Sequence, residues 1–183
     1  YVGTGEGLAG YNEISIQRGA GIFKTTDGGD TWTQLAATDN SNFYFVNRLA
    51  ISPTNSQVLL AATDTGVYRT TNGGTDWDEE VMTGGFADIN FHPTDGDKAV
   101  LGDKADTAWY STDGGATFDQ ATFNAPGISG AERIEVAYAP GSPTTVYASV
   151  NKNSGELWKS TDGGATYLRV STTGANFLDG QGD

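Results

Sequence analysis

The chain has 183 residues, 10 basic and 23 acidic side chains, a formal net charge of −13 and no cysteine. This negative charge repels phosphate backbones and anionic headgroups, so we expect neither nucleic acids nor membrane surfaces as partners. The absence of cysteine excludes disulfides, thiolate metal sites and thiol nucleophiles, and no apolar run approaches the roughly 18 residues that a membrane span needs.

Four segments of one pattern recur along the chain, and we call them boxes 1 to 4. They read TTDGGDTW at 25–32, TTNGGTDW at 70–77, STDGGATF at 111–118 and STDGGATY at 160–167. Their third residues, Asp27, Asn72, Asp113 and Asp162, lie 45, 41 and 49 residues apart. This spacing is typical of a four-stranded propeller blade, so each box predicts one blade.

Short apolar runs flank every box. An aromatic residue stands two positions before each one, at Phe23, Tyr68, Trp109 and Trp158. Further upstream, an apolar run ends in a turn at Pro53, Pro93 or Pro140, and a second run follows. The predicted order within a blade is therefore strand A, proline turn, strand B, variable loop, strand C, box and strand D.

The residue types of the box suit a tight turn. Paired glycines supply positive φ at low cost, and an Asp or Asn side chain can accept hydrogen bonds from the turn backbone. Asn72 keeps the acceptor without the charge, which favours a structural role over a catalytic or metal-binding one. The closing aromatic residues are expected to bury between blades; they are Trp32, Trp77, Phe118 and Tyr167.

The pattern Ser/Thr-x-Asp-x-Gly-x-Thr-aromatic resembles the Asp-box, or BNR, repeat. That family includes sortilin-like receptor domains, xyloglucanase-type glycoside hydrolases and secreted bacterial propellers. The resemblance implies an all-β propeller of four-stranded antiparallel blades, with the boxes on rim hairpins away from the functional face. It covers residues 1–183 as a single domain, with blades near 1–36, 46–82, 86–121 and 133–171 and a tail, 172–183, leading to a next blade.

The first blade has no strand A before its box, because residues 1–4 already match strand B. The sequence thus contains three complete blades and a partial one. Propellers of this family close with about six to ten blades, and open blade faces would leave apolar surface wet. We therefore expect a segment of a larger propeller, continued by further residues or completed by other chains.

The B-to-C and D-to-A loops lie at the end of each blade opposite the boxes, and these loops are the expected functional face. The longest is Gly5–Gly19. The face offers carboxylates that could act as an acid and a base, namely Glu6, Glu13, Asp64, Asp103 and Asp106. It also offers aromatic and cationic groups that could bind a ligand, namely Tyr11, Arg18, Tyr44 and Phe45.

The sequence leaves three functions open. The first is a non-catalytic recognition or adhesion module of a secreted or cell-surface protein, binding protein or glycan. The second is a glycoside hydrolase of xyloglucanase type, which would need two carboxylates roughly 5–9.5 Å apart, one with a raised pKa. The third is a structural repeat of a large surface protein. No cofactor or metal is assigned, although acid-rich turns such as PTDGDK at 93–98 leave calcium open.

Overall fold

The protein is described from a computed structural model, which covers residues 1–5, 7, 17–77, 81–153 and 155–170. The regular structure there is β-strand, apart from two short 3₁₀ turns at Ala36–Thr38 and Ser41–Phe43. The chain divides into two compact units, Tyr1–Ala87 and Asp88–Asp183. The all-β class and the antiparallel four-stranded blades that the repeats predict are confirmed.

Unit 1 contains two antiparallel sheets, which we call blades 1 and 2. Blade 1 consists of β1 (Val2–Gly3), β2 (Ile22–Lys24) and β3 (Thr33–Gln34). Blade 2 consists of β4 (Val46–Ile51), β5 (Leu59–Thr63), β6 (Gly66–Thr70) and β7 (Met82–Thr83). The predicted strand order holds, because blade 1 begins at strand B and each box joins strand C to strand D.

The later strands form blades 3 and 4. Blade 3 consists of β8 (Phe86–Phe91), β9 (Ala99–Asp103), β10 (Ala108–Ser111) and β11 (Asp119–Gln120). Blade 4 consists of β13 (Ile134–Ala139), β14 (Ser142–Val150), β15 (Glu156–Ser160) and β16 (Thr166–Arg169), with β12 (Thr122–Phe123) as a fifth strand.

Strand β12 falls where the sequence predicts a D-to-A loop. It pairs in parallel with β16, so that Phe123 lies opposite Tyr167. The two rings stack with centroids 4.7 Å apart and planes 7° apart, and Phe123 also meets Trp158 edge-on. Burial of this ring against blade 4 gives a physical reason for the extra strand, and a loop of mixed composition carries no alternation that would predict it.

Each unit has its own core, to which strand residues and a few residues of turns and loops contribute. In unit 1 the core contains Ile22, Phe43, Val46, Ala61 and Tyr68. In unit 2 it contains Val100, Ala108, Ala121, Ile128, Ala131, Ile134, Val136, Val146, Ala148, Val150, Trp158 and Tyr167. Both lists combine residues of two sheets, so in each unit one blade packs on the next.

In blades 2, 3 and 4 the box and the proline turn share one end of the blade. In boxes 2, 3 and 4 the first glycine donates its N–H to a carbonyl of the A-to-B turn or of the start of strand B: Gly73 to Gln57 at 2.9 Å, Gly114 to Asp97 at 2.7 Å and Gly163 to Thr144 at 2.9 Å. Because adjacent strands run in opposite directions, the B-to-C and D-to-A loops lie at the other end of these blades. This arrangement positions the candidate site.

Candidate functional site

The box side chains bind their own turns. In box 1, Asp27 Oδ1 accepts from the Thr25 hydroxyl at 2.7 Å and from the Thr31 N–H at 3.0 Å, while Oδ2 accepts from the Thr31 hydroxyl. Asp113 and Asp162 make the same three bonds in boxes 3 and 4. The carboxylates are thereby committed to closing the hairpins, and box 2 closes its turn through Asn72.

These bonds lower the pKa of the box carboxyls. At Asp27 the Thr31 hydroxyl has the largest effect, followed by the Thr31 N–H and the Thr25 hydroxyl. At Asp113 and Asp162 partial burial acts to raise the pKa, but the combined donors, led by the threonine hydroxyls of Thr117 and Thr166, outweigh it. Donors that favour the charged form explain the direction in all three turns.

The closing aromatic residues differ in burial. Tyr167 is fully buried, and the ring of Trp77 lies 5.4 Å from that of Phe43; Trp77 and Phe118 are partly buried. Trp32 is 44% exposed, so the expectation of a buried ring is wrong there. Its ring lies along its own turn instead, where Nε1 donates to Gly29 O at 3.1 Å.

At the loop end of unit 1, the structure brings together two of the predicted binding residues. The Arg18 guanidinium carbon lies 3.5 Å from the centroid of the Tyr44 ring, and Arg18 itself is exposed. The backbone fastens the pair, because Gly19 N–H donates to Tyr44 O at 2.8 Å. The end of the long B-to-C loop is therefore fixed to the D-to-A segment of blade 1.

Asp64 and Phe45 belong to the same group of loops. Asp64 N–H donates to Phe45 O at 3.3 Å, and Asn47 Nδ2 donates to Asp64 Oδ1 at 2.7 Å. The Thr65 hydroxyl donates to Asn42 O at 3.1 Å. We define the loop cluster as Arg18, Tyr44, Phe45, Asn47, Asp64 and Thr65.

Gly7 also lies against the loop cluster. A Cβ at Gly7 would fall 2.6 Å from both Asp64 carboxylate oxygens, so only glycine fits there without a shift of that side chain. Sequence reasoning did not select Asn47 or Thr65. The signal available for Asn47 is a polar residue within the otherwise largely apolar strand VNRLAI.

In unit 2 the two predicted acids share one short loop. Burial raises the pKa of Asp103 and the charge of Asp106 adds to this, while the N–H groups of Thr107 and Ala105 act in the opposite direction. Those N–H groups donate to Asp103 Oδ1 at 3.0 and 2.9 Å. Asp106 Oδ2 accepts from Gly130 N–H at 3.2 Å. Both carboxylates therefore hold loop backbone.

A buried ion pair in blade 4 was not found from the sequence. Glu156 is 2% exposed and lies 3.3 Å from Arg169, measured between Oε1 and Nη2. Asn153 Nδ2 and Trp158 Nε1 also donate to Glu156, at 2.9 and 3.0 Å. The sequence does single out Glu156 by its position. It stands four residues before its box, where the other blades have Gly21, Gly66 or Thr107.

Three candidates, Glu6, Tyr11 and Glu13, lie outside the described residues, as does the tail 172–183. Across residues 1–5, 7, 17–77, 81–153 and 155–170, no group of three or more His, Asp or Glu side chains is placed to hold a metal ion. Within the same ranges, no helix has the length and apolar character to cross a membrane.

Comparison with solved structures shows the fold. An ancestral GH74 enzyme aligns with a TM-score of 0.71 and 22% identity, over 84% of this chain and 21% of that one. The GH74 enzyme of Niastella koreensis aligns with a TM-score of 0.64 and 21% identity, over 85% and 27%. An auxiliary nutrient binding protein of Bacteroides thetaiotaomicron gives 0.53 and 16%, over 74% and 34%. The chain thus spans about a quarter of the length of the two GH74 enzymes.

Comparison with protein families is more specific. No curated protein matches the chain. The model of the Sortilin-Vps10 family, described as sortilin and neurotensin receptor 3, matches residues 65–178, which is more than half of the chain. The blades, the box turns and this match agree, and the chain belongs to the Sortilin-Vps10 family of Asp-box propellers.

Proposed function

We propose that this chain is a non-catalytic recognition module of a secreted or cell-surface protein, and that it binds its protein or glycan ligand through the loop end of its blades. The observation that carries the proposal is the Arg18 guanidinium stacked on Tyr44. The description of the family names a receptor, which supports recognition over chemistry.

The stacked geometry suits a ligand that presents a carboxylate. A guanidinium lying flat on an aromatic ring keeps its N–H edge directed sideways, where it can bind a carboxylate through two parallel hydrogen bonds. The stack and the bond from Gly19 N–H to Tyr44 O restrain Arg18 before a ligand arrives, so less side-chain entropy is lost on binding. We therefore expect uronic-acid sugars or acidic peptide groups among its ligands.

Glycoside hydrolysis is the second candidate, and the raised pKa of Asp103 is the observation that favours it. That chemistry needs two carboxylates facing each other across the bond to be cleaved. Asp103 instead uses Oδ1 to hold the N–H groups of its own loop, and Asp106, three residues later, holds Gly130. These bonds support a structural role for both acids.

The test is a binding screen against three immobilised probe sets: oligogalacturonides, xyloglucan oligosaccharides and peptides rich in Asp and Glu. We expect binding to a carboxylate-bearing probe, weakened at least tenfold, or about 1.4 kcal/mol, by Arg18→Gln. Arg18→Lys should weaken it nearly as much, because lysine keeps the charge and loses the planar group. The matched control is Lys98→Gln, which removes the same charge at the box end of blade 3.

Two results would overturn the proposal. One is release of shorter sugars from the xyloglucan oligosaccharides by the purified chain, which would establish catalysis. The other is binding to a carboxylate probe with the same affinity in the wild type and in Arg18→Gln, which would place the ligand away from the loop cluster.

A further inference from the structure

Box 2 contains a reactive pair of residues that the other boxes lack. Asn72 is followed by Gly73, and no other asparagine of the chain precedes a glycine. A backbone nitrogen attacks the side-chain amide of the preceding asparagine most readily when the nitrogen belongs to glycine, because glycine has no Cβ and leaves the backbone free to turn. The sequence therefore places its most susceptible amide in an exposed turn.

In the closed turn the side-chain amide of Asn72 is bound at both ends. Its Oδ1 accepts from the Thr70 hydroxyl at 2.9 Å and from the Asp76 N–H at 3.0 Å. Its Nδ2 donates to Asp76 Oδ2 at 3.1 Å. The reaction needs Asn72 Cγ to turn onto the Gly73 nitrogen, and these three bonds oppose that rotation.

The attacking nitrogen is bound as well. Gly73 N–H donates to Gln57 O, in the A-to-B turn of the same blade, at 2.9 Å. Gly73 is buried, and the Tyr1 hydroxyl donates to its carbonyl oxygen at 3.1 Å. The attack requires the nitrogen to lose its proton and to direct its lone pair at the amide, so the bond to Gln57 must break first.

The other boxes have the same turn without an amide leaving group. Asp27, Asp113 and Asp162 stand at the position of Asn72, and each also precedes a glycine. Desolvation opposes ionisation at Asp113 and Asp162, yet hydroxyl and N–H donors keep the pKa of all three carboxyls below its ordinary value. An ionised carboxylate is a poor electrophile, so among the boxes the attack is favoured in box 2.

We propose that Asn72 is a deamidation site, and that the hydrogen bonds of box 2 restrict its conversion to the moments when the turn opens. The Gly73 nitrogen gives up its proton and bonds to Asn72 Cγ. The bond from Cγ to Nδ2 breaks, Nδ2 takes up a proton from solvent, and ammonia leaves behind a five-membered imide. Water then adds to one of the two imide carbonyls and yields aspartate or isoaspartate at position 72.

The product acts on the turn that forms it. Both products place a carboxylate opposite Asp76, where the amide of Asn72 donates a hydrogen bond before conversion. Isoaspartate also adds one carbon to the backbone of the turn. Converted chains therefore close box 2 less tightly, and the converted fraction records how long the turn has been open.

The first test follows the full 183-residue chain in mildly alkaline buffer, with and without guanidinium chloride, by peptide mapping and mass spectrometry. In denaturant we expect Asn72 to convert about tenfold faster than Asn55, which precedes a serine. Without denaturant the rate at Asn72 should fall about tenfold or more, because only the opened turn reacts. The variant Asn72→Asp supplies the reference peptide for the aspartate product.

The second test asks whether the bonds of box 2 restrict the reaction. Asp76→Ala removes the acceptor of Asn72 Nδ2 and keeps the N–H that Oδ1 accepts. Conversion without denaturant should rise about fivefold, as expected for the loss of one hydrogen bond, while the rate in denaturant stays unchanged. Amide hydrogen exchange at Gly73 should rise with it. The matched control is Asp30→Ala, which removes an exposed acid from box 1 and should change neither rate.

Three results would overturn the proposal. Conversion of Asn72 no faster than that of Asn55 in denaturant would remove Asn72 as a preferred site. Equal rates at Asn72 with and without denaturant would show that the folded turn does not restrict the reaction. A rate for Asp76→Ala equal to that of the wild type without denaturant would show that the bond to Asp76 has no part in it.

Discussion

Asn72 Nδ2 donates to Asp76 Oδ2 at 3.1 Å, which exchanges the donor and acceptor found in the other boxes. In box 1 the residue at the first of these positions is Asp27, and it accepts from the hydroxyl of Thr31. Asn72 Oδ1 still accepts from the Asp76 N–H at 3.0 Å, as Asp27 Oδ1 does from Thr31. In box 2 the carboxylate of this bonded pair therefore stands four residues later in the turn than it does in box 1.

This exchange predicts that a second substitution restores the stability lost in Asn72→Asp. Asn72→Asp places a second carboxylate against Asp76 and should lower the free energy of unfolding by about 1 kcal/mol, since one hydrogen bond becomes a repulsion in an exposed turn. The double variant Asn72→Asp with Asp76→Thr rebuilds the arrangement of Asp27 and Thr31 and should recover most of this loss. Urea denaturation of the two single variants and the double variant measures the coupling.

A pH control separates charge repulsion from general damage to the turn. If repulsion is the cause, the effect of Asn72→Asp should shrink as the pH falls below about 4, where carboxylates take up protons. A loss that is independent of pH, or a double variant no more stable than Asn72→Asp, would contradict the exchange.

The charged boxes predict a loss of stability in acid. The pKa of Asp113 in the folded chain lies below its ordinary value of 3.8, because the donors from Thr117 and Ser111 outweigh the opposing effect of burial. A carboxyl with a depressed folded pKa adds stability above its unfolded pKa, and that stability is lost as the pH falls through the folded value. The thermal midpoint should therefore drop between pH 5 and 2, roughly the window in which such carboxylates protonate.

Asp113→Asn is the variant that assigns part of this drop. It keeps the acceptor for the Thr117 N–H but removes the charge, so we expect a cost of about 1 kcal/mol at neutral pH that fades toward pH 2. Differential scanning calorimetry across the pH series measures both. A wild-type midpoint that is constant down to pH 2 would show that the box carboxylates do not contribute.

The sequence predicted the blades because the same turn motif recurs once in every blade. Boxes 1 to 4 differ from one another at up to five of their eight positions, yet all retain the glycine pair and the acceptor, and their spacing sets the strand order. Strand β12 could not be predicted this way, because it depends on Phe123 meeting Tyr167, which lies far along the chain and outside any local pattern. Trp32 was predicted to be buried from its place in the motif, but burial also depends on what lies against the turn.

The sequence predicted which residues lie together at the site, but not the hydrogen bonds that join them. Arg18, Tyr44, Phe45 and Asp64 were chosen because their loops share one end of the strands, and the structure groups them at the loop end of unit 1. The hydrogen bond from Asn47 to Asp64 joins a strand to a loop, and no local sequence pattern predicts it. The roles of these residues in binding stay predictions.

Two glycines at matching positions of strand B predict close approach between blades. A Cβ at Gly102 would fall 2.2 Å from Ile134 O, and one at Gly3 would fall 2.4 Å from Val46 Cγ1. In both places the obstacle is the first strand of the next blade. Gly102→Ala meets a backbone atom that cannot move alone, so we expect it to lower the free energy of unfolding by about 1–3 kcal/mol.

The matched control for Gly102→Ala is Gly141→Ala, where a Cβ would meet nothing within 4 Å. That change should be neutral or slightly stabilising, because alanine restricts the unfolded chain more than glycine does. Chemical denaturation of both variants gives the comparison. Equal stability of the two would mean that the approach of blade 4 to Gly102 is looser than described.

The ion pair of Glu156 and Arg169 predicts that removing one partner lowers the free energy of unfolding more than removing both. Glu156→Gln leaves the Arg169 guanidinium, whose side chain is only 20% exposed, without its carboxylate, and should cost about 3 kcal/mol. The double variant Glu156→Gln with Arg169→Gln removes both charges, so its cost should be well below that of Glu156→Gln alone. For a chain of this size, about 3 kcal/mol corresponds to a fall of roughly 6–12 °C in the thermal midpoint.

The same pair fixes the B-to-C loop of blade 4, since Asn153 also donates to Glu156. Loss of the carboxylate should therefore speed amide hydrogen exchange at Lys152 and Asn153 before it affects β14. A matched variant in that loop, Asn153→Ala, should speed the same amides with a stability cost near 1 kcal/mol, because it removes one hydrogen bond and no charge. Faster exchange throughout blade 4 in Asn153→Ala would instead show that the loop and the sheet open together.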